Sequence, residues 1–342
     1  MKKRLIKIVA TVLVVGIVLG LLQELLMPKY MTDTKEGAMI EEYYHSEKIH
    51  DVLFVGDCEV YESFSPCRLW EKYGISSYIR GSAQQLMWQS YYLLEDTLRY
   101  ETPQVVVLSI MSLMHAQPEN EAYNRMTIDG MRLSSSKFGI ISASMTEKEN
   151  MFEYVFPMLR FHTRWNELTS EDFKYIFSKE NVTHNGYYMR VGVKPVTGLP
   201  EPKILSDYTF KEYPMSYLDK IRELCDEKGI ELIFVKAPSL YPYWYEEWEE
   251  QVENYADKYD ITYYNFIELA DEVGIDYSKD TYDAGMHMNL YGAEKLSDYL
   301  GKKLVEEHDV TIHSDDVPYV KVWEPKVEAY NKAIKEEEAK LQ

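Results

Sequence analysis

The sequence predicts an α/β protein: a doubly wound, five-stranded parallel sheet covered by helices on both faces, with an inserted cap and an apolar helix ahead of it. Three observations carry the prediction. From residue 51 to 308, short apolar runs alternate with helical patterns, the rhythm of βαβ units. One run, "PQVVVLSI", is continuous and β-branched, as in central parallel strands buried on both faces. Finally, Lys2, Lys3, Arg4 and Lys7 lead into an apolar run from Ile8 to Leu22.

That first segment covers 23 positions from Leu5 to Met27, interrupted by Lys7, Gln23 and Glu24. About 20 residues suffice to cross a bilayer. A secretory signal has similar flanks, but "QELLMPKYM" is bulky throughout and offers no small-x-small cleavage site. Residues 1–27 are therefore expected to be a basic cytoplasmic end and a retained transmembrane anchor, with the rest of the chain outside the cytoplasm. Residues 28–50 read as a polar, tyrosine-bearing connector.

The α/β region then unfolds in order. Val52 to Val55 is the first strand. "SPCRLWEKYG" supplies an N-cap at Ser65, proline at the first helical position and a stop at Gly74. "SSYIRGS" is the second strand, and "AQQLMWQSYYLLEDTLRY" a helix with Leu86, Leu93, Leu94 and Leu98 on one face. "PQVVVLSI" is the third strand. The alternation then stops from Ser112 to Tyr213, a stretch rich in Met, Tyr, Phe and His. This is too long for a plain crossover, so an inserted cap is expected at about 112–213. The helix "MSYLDKIRELCDEKG", the strand "IELIFVKAP", the helix "YEEWEEQVENYADKY", the strand "ITYYNF" and the helix "YGAEKLSDYLGKKLVEE" complete the series. The expected class for 51–308 is a flavodoxin-like, three-layer α/β/α domain. Residues 309–342 form a charged helical tail. Its Val320, Trp323, Val327, Tyr330 and Ile334 make a narrow apolar stripe of the kind that docks on its own domain.

Composition excludes some classes. An apolar fraction of 46% with 14% aromatics supplies an ample core and argues against global disorder. A net charge of −20 argues against nucleic acid, or an anionic lipid surface, as a partner. Three cysteines, Cys58, Cys67 and Cys225, form no metal-spaced pair, and an odd number leaves at least one thiol without an intramolecular partner. A Cys58–Cys67 disulfide would silence Cys58. With no glycine-rich phosphate loop and no cluster of metal ligands, no cofactor is expected.

Ligands of open parallel sheets bind beyond the carboxyl ends of the strands. Cys58 follows the first strand, Gly81-Ser82 the second, Ser109 to Ser112 the third and Lys236 to Tyr241 the fourth. The loop "DTYDAGMHMNLYGAEK" sets His287 just before the last helix, with Asp280 and Asp283 upstream. A nucleophile at one strand end and an Asp/His pair on a late loop match a catalytic triad. Backbone N–H groups after Gly56 and at Gly81 are candidates to hold an oxyanion. Lys236 is a candidate to neutralise substrate charge, or only covers the strand end. "YPYWYEEW", Tyr241 to Trp248, either stacks on sugar rings or packs the following helix start. His162 and His184 are read as ordinary hydrogen-bonding residues of the insert.

"VLFVGDCEVY", "YIRGSAQQ", "VKAPSLYP" and "DAGMHMNLYGAEKLSDYL" resemble the blocks of SGNH/GDSL-type hydrolases. They are similar in particular to membrane-anchored relatives that acylate extracellular polymers, such as alginate O-acetyltransferases and the teichoic-acid D-alanylation protein. The resemblance covers residues 50 to 305 apart from the insert. It implies a nucleophile at Cys58, an oxyanion glycine at Gly81, and Asp283 and His287 as the rest of the triad. Three departures accompany it. Cysteine stands where the family has serine. "LSIMSLMH" replaces the Gly-x-Asn-Asp block, leaving Gln84 or Ser112 as guesses for the oxyanion side chain. Asp283 and His287 are four apart rather than three, Met286 being the additional residue.

A thiol needs less help from a base than a serine hydroxyl, but the flanking Asp57 and Glu59 raise its pKa and reduce the thiolate fraction. Two functions follow. One is a membrane-anchored, extracytoplasmic acyl-ester hydrolase or O-acyltransferase acting on a cell-envelope glycan. The other is a catalytically inactive envelope protein of the same fold that binds a glycan or a membrane partner. For transfer, acyl donors are cytoplasmic while the domain is outside, and one helix cannot form a pore. The resemblance then implies a multispanning membrane-bound O-acyltransferase as partner.

Overall fold

β-branched and aromatic runs pair because their side chains fill both faces of a pleated sheet. In the computed structural model, which describes residues 2–28, 35–118, 120–179 and 181–341, the described residues form one five-stranded sheet, all parallel, in the order β2-β1-β3-β4-β5. In chain order the elements are α1 Lys2–Leu26, α2 Met39–Glu42, β1 Val52–Gly56, α3 Cys58–Tyr61, α4 Pro66–Tyr73, β2 Ser77–Gly81, α5 Met87–Thr97 and β3 Val105–Ser109. The middle of the chain carries α6 Glu121–Ile128, α7 Ser135–Ser144, α8 Met151–Val155, α9 Pro157–Phe161 and α10 Ser170–Phe177. After it come α11 Glu212–Lys228, β4 Glu231–Lys236, α12 Glu246–Tyr259, β5 Thr262–Asn265, α13 Ala270–Val273, α14 Leu290–Glu306 and α15 Val317–Lys340.

All five expected strands form. β1, β2 and β3 are buried along their whole length, as the unbroken apolar runs require. Val52, Phe54 and Val107 face a core shared with α14, while Leu53, Val55 and Val106 face one shared with α5, α11 and α12. α4 starts and stops as its caps dictate: Ser65 Oγ accepts from the N–H of Arg68, Pro66 leads, and Gly74 ends the helix in the left-handed conformation. The helix expected from residue 83 begins instead at Met87. Residues 82–85 make a turn closed by Gln85 N–H to Ser82 O (3.2 Å), with Gln84 at φ +50.

The stretch 112–213 packs in two parts. Its first part packs α7 against α5 and builds a small separate core around Ile128, Ile140, Ile141 and Tyr154. Its later part returns to the sheet. The Ile79 N–H donates to Asn185 O (3.0 Å), and the N–H of Tyr188 donates to Tyr61 O (2.8 Å). Gly186, at φ +89, allows this approach, because a Cβ there would lie 2.2 Å from Ile79 O. The connector is described at residue 28 and from residue 35 onward; residues 29–34, which include Tyr30, lie outside the described residues. Glu42 ties its far end to the insert by accepting from Val182 N–H (2.5 Å) and from the Thr183 hydroxyl.

α15 docks on its own domain, as its stripe predicts. Trp323 stacks on Trp70 (5.2 Å, 10°) and donates from Nε1 to Ser76 Oγ (3.1 Å), and Tyr330 joins the α14-side core. α1 is long and apolar enough to cross a membrane, and its large apolar side chains from Leu5 to Leu22 are exposed.

Candidate active site

β1 delivers its end to the carboxyl edge through Gly56. The turn there is so close to β3 that a Cβ at Gly56 would lie 2.6 Å from the Ser109 Cβ. Asp57 then caps α3: its Oδ1 accepts from the N–H of Glu59 (3.2 Å) and from the Ser109 hydroxyl (3.3 Å). Cys58 is thereby the first residue of α3, partly exposed, and opens onto a cavity of about 350 Å³. All three cysteines are free; Cys67 and Cys225 are buried, so there is no Cys58–Cys67 disulfide.

The two acids beside Cys58 behave differently from each other. Glu59 turns inward, where it pairs with Lys236 Nζ (2.6 Å) and accepts from the Ser239 hydroxyl. Lys236 is fully buried, donating also to Ala237 O and Ser239 Oγ (both 2.8 Å). It is therefore an internal ion pair and not a group offered to substrate. The anions that bear on the thiol are Asp57 and, more weakly, Glu62, four residues on and one helical turn away.

His287 sits across the cavity. Asp283 Oδ2 is 2.6 Å from its Nδ1, and Asp283 Oδ1 accepts the backbone N–H groups of His287 (2.8 Å) and Met286 (3.2 Å). The additional residue between acid and base is absorbed by Ala284 (φ +69) and Gly285 (φ +98), which fold the loop back on itself. Glycine is needed at 285, where a Cβ would meet Val196 at 2.8 Å. Nδ1 is committed to Asp283, and the imidazole also interacts with the Cys58 sulfur, each side chain shifting the other's protonation. Asp280 plays no part in this; it pairs with Lys295 (2.5 Å) and accepts the Asp276 N–H (2.7 Å).

Glu62 adds a second carboxylate. It is buried, with Oε2 3.4 Å from His287 Nδ1 and Oε1 accepting from the Tyr282 hydroxyl (2.8 Å). The Tyr282 ring lies parallel to the imidazole (6.0 Å, 15°). Burial works against a charged His287, but the Cys58 sulfur, Asp283 and Glu62 outweigh it and hold the imidazolium up to about 12. Burial also pushes the Cys58 thiol up, to about 11. The His287 charge opposes that push while Asp57 and Glu62 add to it. Burial raises Glu62 to about 7 against the pull of His287.

The oxyanion candidates disperse. Gly81 is buried at the end of β2, packed so that a Cβ would lie 3.0 Å from Gly56 O, and the cavity wall on this side is Ala83 and Gln84. Ser112 is buried, its hydroxyl without a hydrogen-bond partner among the described residues, and its neighbours Met111 and Met114 line the cavity instead. Of the aromatic group, Tyr241 and Pro242 line the cavity, whereas Trp244 and Trp248 pack in the core beside Phe210. His162 bonds Leu159 O (2.8 Å), and His184 meets the Tyr330 ring (5.1 Å). Neither lines the cavity.

Sequence reasoning missed Glu62, Tyr282, His115 and Tyr123, all of which line the cavity. Only Glu62 had a usable signal, its i+4 spacing from Cys58 on a helical start. Among the described residues no group of side chains has the make-up of a metal site. No protein-family model and no curated protein matches the chain.

Proposed function

We propose that this chain is a membrane-anchored, extracytoplasmic SGNH-like enzyme that removes or transfers an acyl group on a cell-envelope glycan. The observation that carries the reading is that Cys58 and His287 line one cavity, with Asp283 held on the His287 Nδ1, at the edge of a sheet with strand order β2-β1-β3-β4-β5. The reaction starts when the thiol and imidazole share a single proton, held on His287. The thiolate attacks the acyl carbonyl, and the tetrahedral intermediate expels the glycan alkoxide, which takes the His287 proton. A thioester remains on Cys58. Water or a second hydroxyl then attacks that thioester, giving its proton to His287 and releasing the thiolate. Asp283 fixes the tautomer throughout.

The test is turnover of a chromogenic acyl ester and an O-acetylated glycan by the full chain in lipid discs. Cys58→Ala and His287→Ala are each expected to lower turnover at least a hundredfold, an order-of-magnitude figure for loss of an acid–base or nucleophilic group. Unchanged turnover in both variants would sink the proposal. Deacylation by the chain alone favours hydrolysis. Transfer requires a multispanning O-acyltransferase to carry the acyl group across the membrane, and crosslinking from the connector should capture it.

A second reading, a non-catalytic binder of glycan or membrane partner, is supported by the same electrostatics. An imidazolium pinned by two carboxylates is a poor base, and a thiol pushed to about 11 is seldom ionised near neutrality.

A further inference from the structure

The helices that touch the end of α1 carry an unusual surface. α9, α10 and the 3-10 turn His162–Asn166 all contact α1, and α8 leads directly into α9. On these elements Phe152 is 68% exposed, Trp165 71% and Phe177 88%, with Phe156, Leu159 and Phe173 about half exposed. Phe173 and Phe177 lie one turn apart on α10, while Phe152 is on α8, Leu159 on α9 and Phe156 at the non-helical joint between them. Large exposed apolar groups on segments gathered round the end of one apolar helix mark a contact with something apolar.

The geometry of α1 says what that is. Leu5 to Leu22 of the helix is about 27 Å long at 1.5 Å per residue, close to the thickness of a bilayer core. Polar Gln23 and Glu24 follow, so the helix leaves the hydrocarbon there. At that level the insert grips it: Lys179 pairs with Glu24 (2.7 Å), and Arg164 donates to Leu26 O (2.7 Å) while held by Asp172 (3.1 Å). Trp165 is the next residue after Arg164, which puts it beside the end of the span. Tryptophan and phenylalanine next to arginine and lysine are the composition of a membrane–water boundary. Residues 151–179 also carry four acids and four bases, neutral in a chain of net charge −20. The repulsion from anionic headgroups that the whole chain would feel is absent here.

We infer that Phe152, Phe156, Leu159, Trp165, Phe173 and Phe177 bed into the headgroup–acyl boundary of the leaflet from which α1 emerges, so that the insert is a second, monotopic membrane contact. The inference rests on the reading of α1 as a span. It seats the globular domain on the bilayer instead of leaving it on a tether. It also brings the catalytic cavity near lipid, because α6 supplies Tyr123 to that cavity and Ala122 and Arg125 to a second one that Met27 of the anchor lines.

Trp165 reports on this directly, since Trp70, Trp88, Trp244, Trp248 and Trp323 are buried. The full chain is placed one copy per lipid disc, with and without bromine on the acyl chains, and compared with Trp165→Phe. Bromine should quench the wild type and leave Trp165→Phe nearly unquenched, while aqueous acrylamide should reach Trp165 in detergent but poorly in discs. Equal bromine quenching of the two proteins overturns the inference. So does a Trp165 that acrylamide reaches fully in discs and that is shielded only in native membranes, which would assign the face to a membrane protein. Failure to enter the disc at all would remove the span and this face together; entry without the quenching difference removes the face alone.

Discussion

At the scale of single residues, the site is governed by which carboxylate faces which partner. Cys58 is flanked by two acids, yet Glu59 is paired with buried Lys236, so that Asp57 and then Glu62 bear on the thiol, and Glu62 also on the imidazole. A thiol raised to about 11 is protonated at neutral pH, and below that value its thiolate fraction grows about tenfold per pH unit. Alkylation of Cys58 by iodoacetamide, followed by mass spectrometry, is therefore expected to be slow at pH 7 and to climb about tenfold per unit toward pH 9. Cys67 and Cys225 are buried and should not interfere. Glu62→Gln removes one of the anions that raise the thiol, so its alkylation should be faster at every pH in that range. A rate that is flat with pH would mean that Cys58 is already a thiolate. The Lys236–Glu59 pair makes a separate prediction. Lys236→Met leaves Glu59 as a buried charge without its cation and should cost about 3–5 kcal/mol in a urea melt, whereas Lys236→Met with Glu59→Gln should recover much of it. No recovery in the double variant would show that packing, not charge, sets the cost.

At the scale of elements, short segments deliver the chemistry and long ones hold them in place. α3 is four residues long and cannot be stable alone; it is held by its Asp57 cap and by packing of Val60 and Tyr61 under α14 and the 182–196 return. α15 closes the opposite edge of the domain, with Trp323 fully buried between Trp70 and Ser76. Trp323→Ala empties that site and is expected to lower stability by about 3–5 kcal/mol, seen as a shift of the urea midpoint of the full chain in detergent. Ester turnover per folded molecule should be unchanged, since α15 lines no part of the Cys58 cavity. A variant as stable as the wild type would mean that the tail is not docked in solution.

At the scale of the whole molecule, buried carboxyls dominate the pH response. Burial raises Glu42, Asp57 and Glu62 to about 7 and Asp129 to about 6. Between about pH 4 and 7 these groups hold protons in the fold that the unfolded chain has released, so stability falls as pH rises through that window. His287, held up to about 12, adds the same trend above about 6.5, its ordinary value. Asp283, Glu101 and Asp298 are held below the ordinary range despite burial, through His287, His50 and Arg68 respectively. Their contribution is lost only as pH drops below about 4. The urea midpoint should therefore be highest near pH 5 and decline by pH 8. A midpoint that rises from pH 5 to 8 would mean that those carboxyls are ionised in the fold.

What the sequence determined by itself was whatever depends on neighbours along the chain. The five apolar runs became the five strands, Ser65, Pro66 and Gly74 bounded α4, and the Val320–Ile334 stripe docked where its spacing said it would. The placement of Cys58, His287 and Asp283 at the carboxyl edge was legible too, because strand ends and a late loop are local signals. Only the tertiary structure decided that Lys236 belongs to Glu59, 177 residues away, and that Glu62 meets Tyr282 across 220 residues. It also decided that the insert returns to β2 through Gly186 and that Ala284 and Gly285 bring Asp283 onto His287 despite their wider spacing. The physical reason is range. A strand period or a helix cap is set by steric and hydrogen-bonding terms within a few residues, whereas the partner of a buried charge is chosen by whichever opposite charge the packed fold brings within about 4 Å of it.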